Sequence, residues 1–147
     1  SKLYPQIEKN IAIYGLSNHR HVPEIEEYLN MFIDKKTQIN FTPHLIPTFR
    51  GILSTIYIKS NFNLTKLSES LLSFYKNSEF IRFYKKKLIN TNEVINTNYC
   101  NISINENRLP NSFIISSSID NLLKGASGQA VQNFNIRFDF KESLSLV

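Results

Sequence analysis

Two histidines, an arginine and a glutamate fall within the segment His19-Arg20-His21-Val22-Pro23-Glu24, directly ahead of residues patterned for a helix. Imidazole is the side chain whose ordinary pKa lies closest to neutrality, so it takes or gives a proton readily. At a helix N-terminus the dipole disfavours the cation, which leaves a neutral ring suited to general acid/base work. His19 and His21 are two apart, so an extended segment would send them to opposite faces, whereas a turn into the helix would aim one into a cleft. Both are candidate catalytic groups. Glu24, in the first turn, would orient an imidazole, bind a backbone amide or simply cap the helix. Imidazole and carboxylate are ordinary zinc ligands, but the spacing is not the helical His-Glu-x-x-His arrangement, and no metal is expected.

Four further places carry chemistry or strain. Arg50 precedes Gly51 and an apolar run, which would hold its guanidinium at a rigid edge suited to a carboxylate or phosphate; a surface ion pair is the plain alternative. Gly125 and Gly128 interrupt the last helical pattern, where each costs about 1 kcal/mol relative to alanine. Either another backbone packs closely there or a ligand approaches. His44 lies between Pro43 and Pro47 and reads as a turn or packing histidine. The run Lys85-Lys86-Lys87 reads as a solvated strand end or loop.

The elements that must position these groups follow from periodicity and breakers. Ile11–Leu16 is short, apolar and β-rich, which predicts a buried strand leading into the His19 segment. Pro23 suits the first helical position, with Ile25, Leu29, Phe32 and Ile33 on one face and an end near Lys35. Residues 38–44 and 51–59 predict two strands separated by the Pro43 to Pro47 region. Residues 65–75 predict a helix with Thr65 as candidate cap, and 80–84 a strand. The Asn-rich stretch 86–111 predicts loops, with short strand-like pieces near Val94 and over 101–104. Residues 112–119 predict a strand, and 120–133 a helix with Leu122, Leu123, Ala126, Ala130, Val131 and Phe134 in one stripe. Strands and helices mix without regular βαβ alternation, so the expected class is α+β with a mixed, largely antiparallel sheet and flanking helices.

A length of 147 residues with 41% hydrophobic residues suits one main domain with a real core. The net charge of +5 raises the question of nucleic acid, but Lys outnumbers Arg by 12 to 5 amid abundant Asn and Ile, the mark of an AT-rich coding sequence. No nucleic-acid partner is expected. The single cysteine, Cys100, excludes an internal disulfide framework and suits a reducing compartment. No apolar run approaches roughly 18 residues and no leader pattern opens the chain, so the expectation is a cytoplasmic protein without a membrane partner. The opening Ser1-Lys2-Leu3-Tyr4-Pro5, with no initiating methionine, fits an excised or processed piece.

The His19 to Glu26 block, read with Phe41-Thr42-Pro43-His44-Leu45-Ile46-Pro47 through Arg50-Gly51-Ile52 and with Asp120 through Asn133, closely resembles the N-acetyl-gamma-glutamyl-phosphate reductase family. The blocks stand in that family's order but match only its C-terminal half. The resemblance implies a glyceraldehyde-3-phosphate-dehydrogenase-like C-terminal domain. It implies a substrate-binding, catalytic and dimerisation part over residues 1–118, and a helix and tail over 119–147 that pack back on a dinucleotide-binding domain. It implies an NADPH-dependent reduction of N-acetylglutamyl phosphate in arginine biosynthesis, through a cysteine thiolate that displaces phosphate. His21 would be the acid/base, aided by His19 and Glu24; Arg50 would bind substrate. Asn121, Lys124, Gly125 and Gly128 would lie near the nicotinamide end of NADP. A homo-oligomer, dimer or tetramer, is implied.

The resemblance also limits the expectation. Cys100, in Thr97-Asn98-Tyr99-Cys100, does not match the family's nucleophile, which belongs in a Pro-Gly-Cys-like turn upstream of Ser1, and the main NADP site is likewise expected outside this chain. This chain alone is therefore expected to be inactive. The rivals are a standalone structural or dimerisation module and a basic, aromatic-rich nucleic-acid binder. Aspartate-semialdehyde dehydrogenase is a neighbouring family that fits the His19 block less well.

Overall fold

A computed structural model describes residues 10–33 and 36–146, and the chain forms two units that divide between Phe49 and Arg50. Residues 119–146 belong to the second unit, in which Asp120 and Asn121 bond back to Asn96 and Gly51 and the tail is tied to the last helix.

In the first unit, β1 (Ala12–Ile13) pairs antiparallel with β2 (His44–Leu45), and the Tyr14 N–H donates to the Pro43 carbonyl at 3.2 Å. The strand expected over 11–16 is only these two residues, and it is not buried: Ile11 and Ile13 are exposed. Gly15 and Ser17 both take positive φ, 57° and 64°, and turn the chain out of extended backbone. The strand expected over 38–44 is likewise reduced to β2, since Pro43 offers no N–H to a ladder. Helix α1 (His21–Asn30) starts two residues before Pro23 and stops short of the expected end. Lys35 itself lies outside the described residues. After α1, the Thr37 N–H donates to Asn30 Oδ1 and the Ile39 N–H to Glu26 Oε1, which folds the following segment back along the helix.

The second unit is built on a four-stranded sheet in the order β3-β6-β5-β4, comprising β3 (Ile52–Lys59), β4 (Ile81–Lys85), β5 (Cys100–Glu106) and β6 (Ser112–Ile119). β3 and β5 both run antiparallel to β6, and β4 pairs parallel with β5. Helix α2 (Leu64–Tyr75) links β3 to β4 and covers one face. Leu64, Ile104 and Phe113 make the buried centre, with Ile58, Leu67, Leu71, Phe83 and Ile115 packed around it. Its cap is Asn63 and not Thr65: Asn63 is extended and its side chain accepts the Lys66 N–H, whereas Thr65 is already helical.

The largest departure from expectation is the Asn-rich segment, because β5 is a central strand and not a short piece in a loop. Its polar side chains Asn101 and Ser103 are fully buried on the face away from α2. The connection from β4 to β5, with a 3-10 turn at Thr91–Glu93 and buried Val94, lies over them and supplies partners. Ser103 Oγ donates to the Lys87 carbonyl and Asn101 Nδ2 to Glu93. Asn101 Nδ2 and Ser103 Oγ are thus buried with hydrogen bonds, the condition under which burying such groups is tolerated, whereas Asn101 Oδ1 and Ser118 Oγ are buried without one.

After β6 the chain enters a π-helical turn (Leu123–Ser127) and then α3 (Gly128–Arg137). The expected apolar stripe is not what this helix buries. Gln132 and Asn135 face inward while Val131 and Phe134 are exposed, because the inward groups bond the chain's own tail: Gln132 Nε2 donates to Glu142 and Asn135 Nδ2 to the Glu142 and Leu144 carbonyls.

Candidate active site

In the first unit, the turn at Gly15–Ser17 brings the His19 ring into a group of aromatic side chains. Its centroid lies 5.2 Å from Tyr14, 5.2 Å from Phe41 and 4.8 Å from His21, with interplanar angles of 72°, 56° and 67°. The two imidazoles meet, because the chain turns into α1 between them. His21 opens α1 and is exposed; His19 is half-buried. The His21 N–H donates to Nδ1 of His19 at 3.2 Å. Glu24 stands exposed in the first turn. His44 lies apart from this ring group in the aromatic contacts, and its Nδ1 is 3.1 Å from the Thr42 carbonyl of its own turn.

In the second unit, Arg50 at the entrance of β3 reaches the exit of β6. Its Nη1 donates to Asn96 Oδ1 and stands 3.4 Å from Asp120 Oδ2, while its Nε is buried without a partner. Asp120 is fully buried and accepts from the backbone of Asn96, Leu122 and Leu123 at 2.8, 2.7 and 3.0 Å. Burial alone would push this carboxyl up, but those three N–H groups and the Arg50 guanidinium outweigh it and hold it below the ordinary carboxylate range. Asn121 Oδ1 accepts the Gly51 N–H at 2.7 Å, a second tie between the same strand ends.

The residues expected near NADP are engaged with their own chain. Lys124 Nζ donates to Gln132 Oε1 at 2.6 Å and lies 5.6 Å from the Phe80 ring centre. Burial pulls its pKa down, with Cys100 and Glu142 acting the other way. A Cβ on Gly125 would stand 3.3 Å from Ile119 Cδ1, and one on Gly128 would run into the Asn98 carboxamide and lie 3.0 Å from the Leu123 backbone. Gly128 is buried and packed closely by protein, whereas Gly125 is exposed and its nearest neighbour is the end of the Ile119 side chain. None of the strand-to-helix turns among the described residues is Gly-rich. Cys100 is half-buried; burial raises its thiol pKa and nearby Lys124 lowers it. Among the described residues no group of three or more His, Cys, Asp or Glu converges as a metal set, and no helix is long and apolar enough to cross a membrane.

A mixed sheet with helices at its flanks, preceded by an imidazole-bearing segment, defines the class. The family described as "Semialdehyde dehydrogenase, dimerisation domain" matches residues 1–121, and the chain belongs to it. The fold is that of the semialdehyde dehydrogenases. An aspartate semialdehyde dehydrogenase from Francisella tularensis superposes with a TM-score of 0.63 at 17% identity, over 86% of this chain and 39% of that one. Aspartate semialdehyde dehydrogenase II from Vibrio cholerae gives 0.65 at 14%, over 90% and 42%.

In sequence the chain is similar to proteins named N-acetyl-gamma-glutamyl-phosphate reductase. That of Ehrlichia chaffeensis is 45% identical over 99% of this chain and 43% of its own length. Those of Ehrlichia canis and Clostridium novyi are 47% and 42% identical over 98% of this chain, each over 42% of its own length. The chain thus spans under half the length of these relatives.

Asp120 is the residue that sequence reasoning missed. Its signal was present, since an aspartate just ahead of a helical pattern is a preferred capping residue. Nothing local announced that the same carboxylate would meet Arg50.

Proposed function

We propose that this chain is the acid/base-bearing, self-associating C-terminal half of an NADPH-dependent reductase that converts N-acetylglutamyl 5-phosphate to N-acetylglutamate 5-semialdehyde and phosphate. The observation that carries this is the exposed His21 ring at the first position of α1, held against His19, in a chain 42–47% identical to proteins of that name. A ring so placed can give a proton to, or take one from, an oxygen at the reacting carbon. Glu24, in the same first turn, belongs to this end of the helix and is proposed to tune it. The hydride donor and the nucleophilic thiol are supplied outside this chain in this reading. Arg50, which ties the entrance of β3 to the exit of β6, is proposed to bind the substrate as well. Asn121, Lys124, Gly125 and Gly128 shape the turn into α3. The dimerisation-domain family supports self-association of this half.

The test is reduction of NADP with N-acetylglutamate semialdehyde and phosphate. This chain alone should give no turnover, whereas the holoenzyme containing it should. In the holoenzyme, His21→Asn should cut kcat by on the order of a hundredfold or more with the fold preserved. Turnover by this chain alone, or an unimpaired His21→Asn holoenzyme, would overturn the reading.

A further inference from the structure

We propose that His19 is a positioning residue for His21, acting through Nδ1 as the cap of α1 and through its ring as the wall on which the His21 imidazole rests. The proposal rests on the reading of His21 as the acid/base. Arg20, at the capping position of α1, makes no side-chain hydrogen bond to the helix, and Pro23 has no N–H to satisfy. The first N–H of the helix, that of His21, finds its acceptor in Nδ1 of His19 at 3.2 Å. An Nδ1 that accepts is unprotonated, so the neutral ring carries its proton on Nε2. One contact therefore ties the tautomer of His19 to the start of α1, where the His21 side chain is attached.

The ring is held in place from several sides. Tyr14, Phe41 and His21 surround it at centroid distances of 5.2, 5.2 and 4.8 Å. Gly15 makes room for it: with φ at +57°, a Cβ there would stand 2.9 Å from His19 Cδ2 and 3.3 Å from its Cβ. The left-handed turn, the absent side chain and the imidazole form one local arrangement. His19 is half-buried in it while His21 is exposed. That division of exposure assigns the reacting ring to His21 and the supporting ring to His19.

Asparagine and glutamine separate the two imidazole nitrogens, because Asn Oδ1 reaches about as far from the backbone as Nδ1, and Gln Oε1 about as far as Nε2. In the holoenzyme, His19→Asn keeps the cap but loses the ring and should lower kcat by less than about tenfold, whereas His19→Gln loses both. Misplacement of the reacting group should then lower kcat by on the order of tenfold to a hundredfold with KM little changed. Nitrogen NMR of the imidazoles in the full chain should show His19 protonated at Nε2 and unprotonated at Nδ1 at neutral pH. Equal activity of both variants, equal loss in both with folding intact, or a Nδ1-protonated His19 would overturn the proposal. A fully active His21→Asn holoenzyme would instead overturn the acid/base reading, and the NMR result would still report on the cap.

Discussion

Arg50 Nη1 lies 3.4 Å from Asp120 Oδ2, with the aspartate side chain wholly shielded from solvent and the arginine 23% exposed. The pair joins Arg50, two residues before β3, to the residue after β6, and the same carboxylate collects three backbone N–H groups. Removing the carboxylate strands the guanidinium and three donors at once. Asp120→Ala should destabilise the chain by about 3–5 kcal/mol, the range for breaking one side of a buried pair. Urea unfolding checks this, and a loss under about 1 kcal/mol would show the cluster to be unimportant.

The same carboxylate sets an acid dependence. Its folded pKa lies below the ordinary 3.8, so its contribution is fully present above that value and is lost as pH falls through the lower folded value. Stability measured from pH 6 downward should fall less steeply in Asp120→Asn than in the parent at the acid end. Parallel curves for the two proteins would contradict the assignment.

Cys100 should be a sluggish thiol. Burial raises its pKa and outweighs the Lys124 charge, so less thiolate is present at neutral pH than for a free cysteine. Labelling with a disulfide reagent should be slower than for a free thiol, and slower again in Lys124→Met. Rapid labelling of the folded chain at pH 7 would contradict this.

Gly128→Ala places a methyl against the Asn98 carboxamide and the Leu123 backbone, neither of which is the loose end of a flexible side chain. The expected loss is about 1–3 kcal/mol, seen as a lowered melting temperature. An unchanged melting temperature would mean that the turn into α3 relaxes freely.

The lysine run is internally paired: Lys85 with Thr65, Lys86 with Glu106 at 3.0 Å and Lys87 with Glu93 at 2.9 Å. Duplex DNA should therefore not bind detectably even at low salt. Binding that weakens steeply with added salt would revive the nucleic-acid reading.

Local pattern sufficed where one period governs one element. The strand candidate over Ser112–Ile119 became β6, the leucine spacing before Tyr75 became α2, and the α+β class followed from the mixing of strands and helices without βαβ alternation. The His19 to Glu24 block was visible because its residue types are rare together, and the family followed from it. Tertiary structure decided what these patterns cannot encode. Asn101 and Ser103 read as part of a short strand-like piece amid loops until the β4–β5 connection supplies their partners in what is a central strand, β5. Gln132 read as lying off the apolar stripe of the last helix, and Asn135 as beyond its end, until the tail bonds to both. Arg50 read as a ligand-binding group or a surface ion pair until the sheet brought the buried Asp120 to it, just as it joins Gly51 to Asn121 across 70 residues. Periodicity reports the preference of a residue for a surface or a core, whereas a buried hydrogen bond depends on which distant group the fold delivers. The His19 and His21 rings, by contrast, are brought together by the local turn into α1.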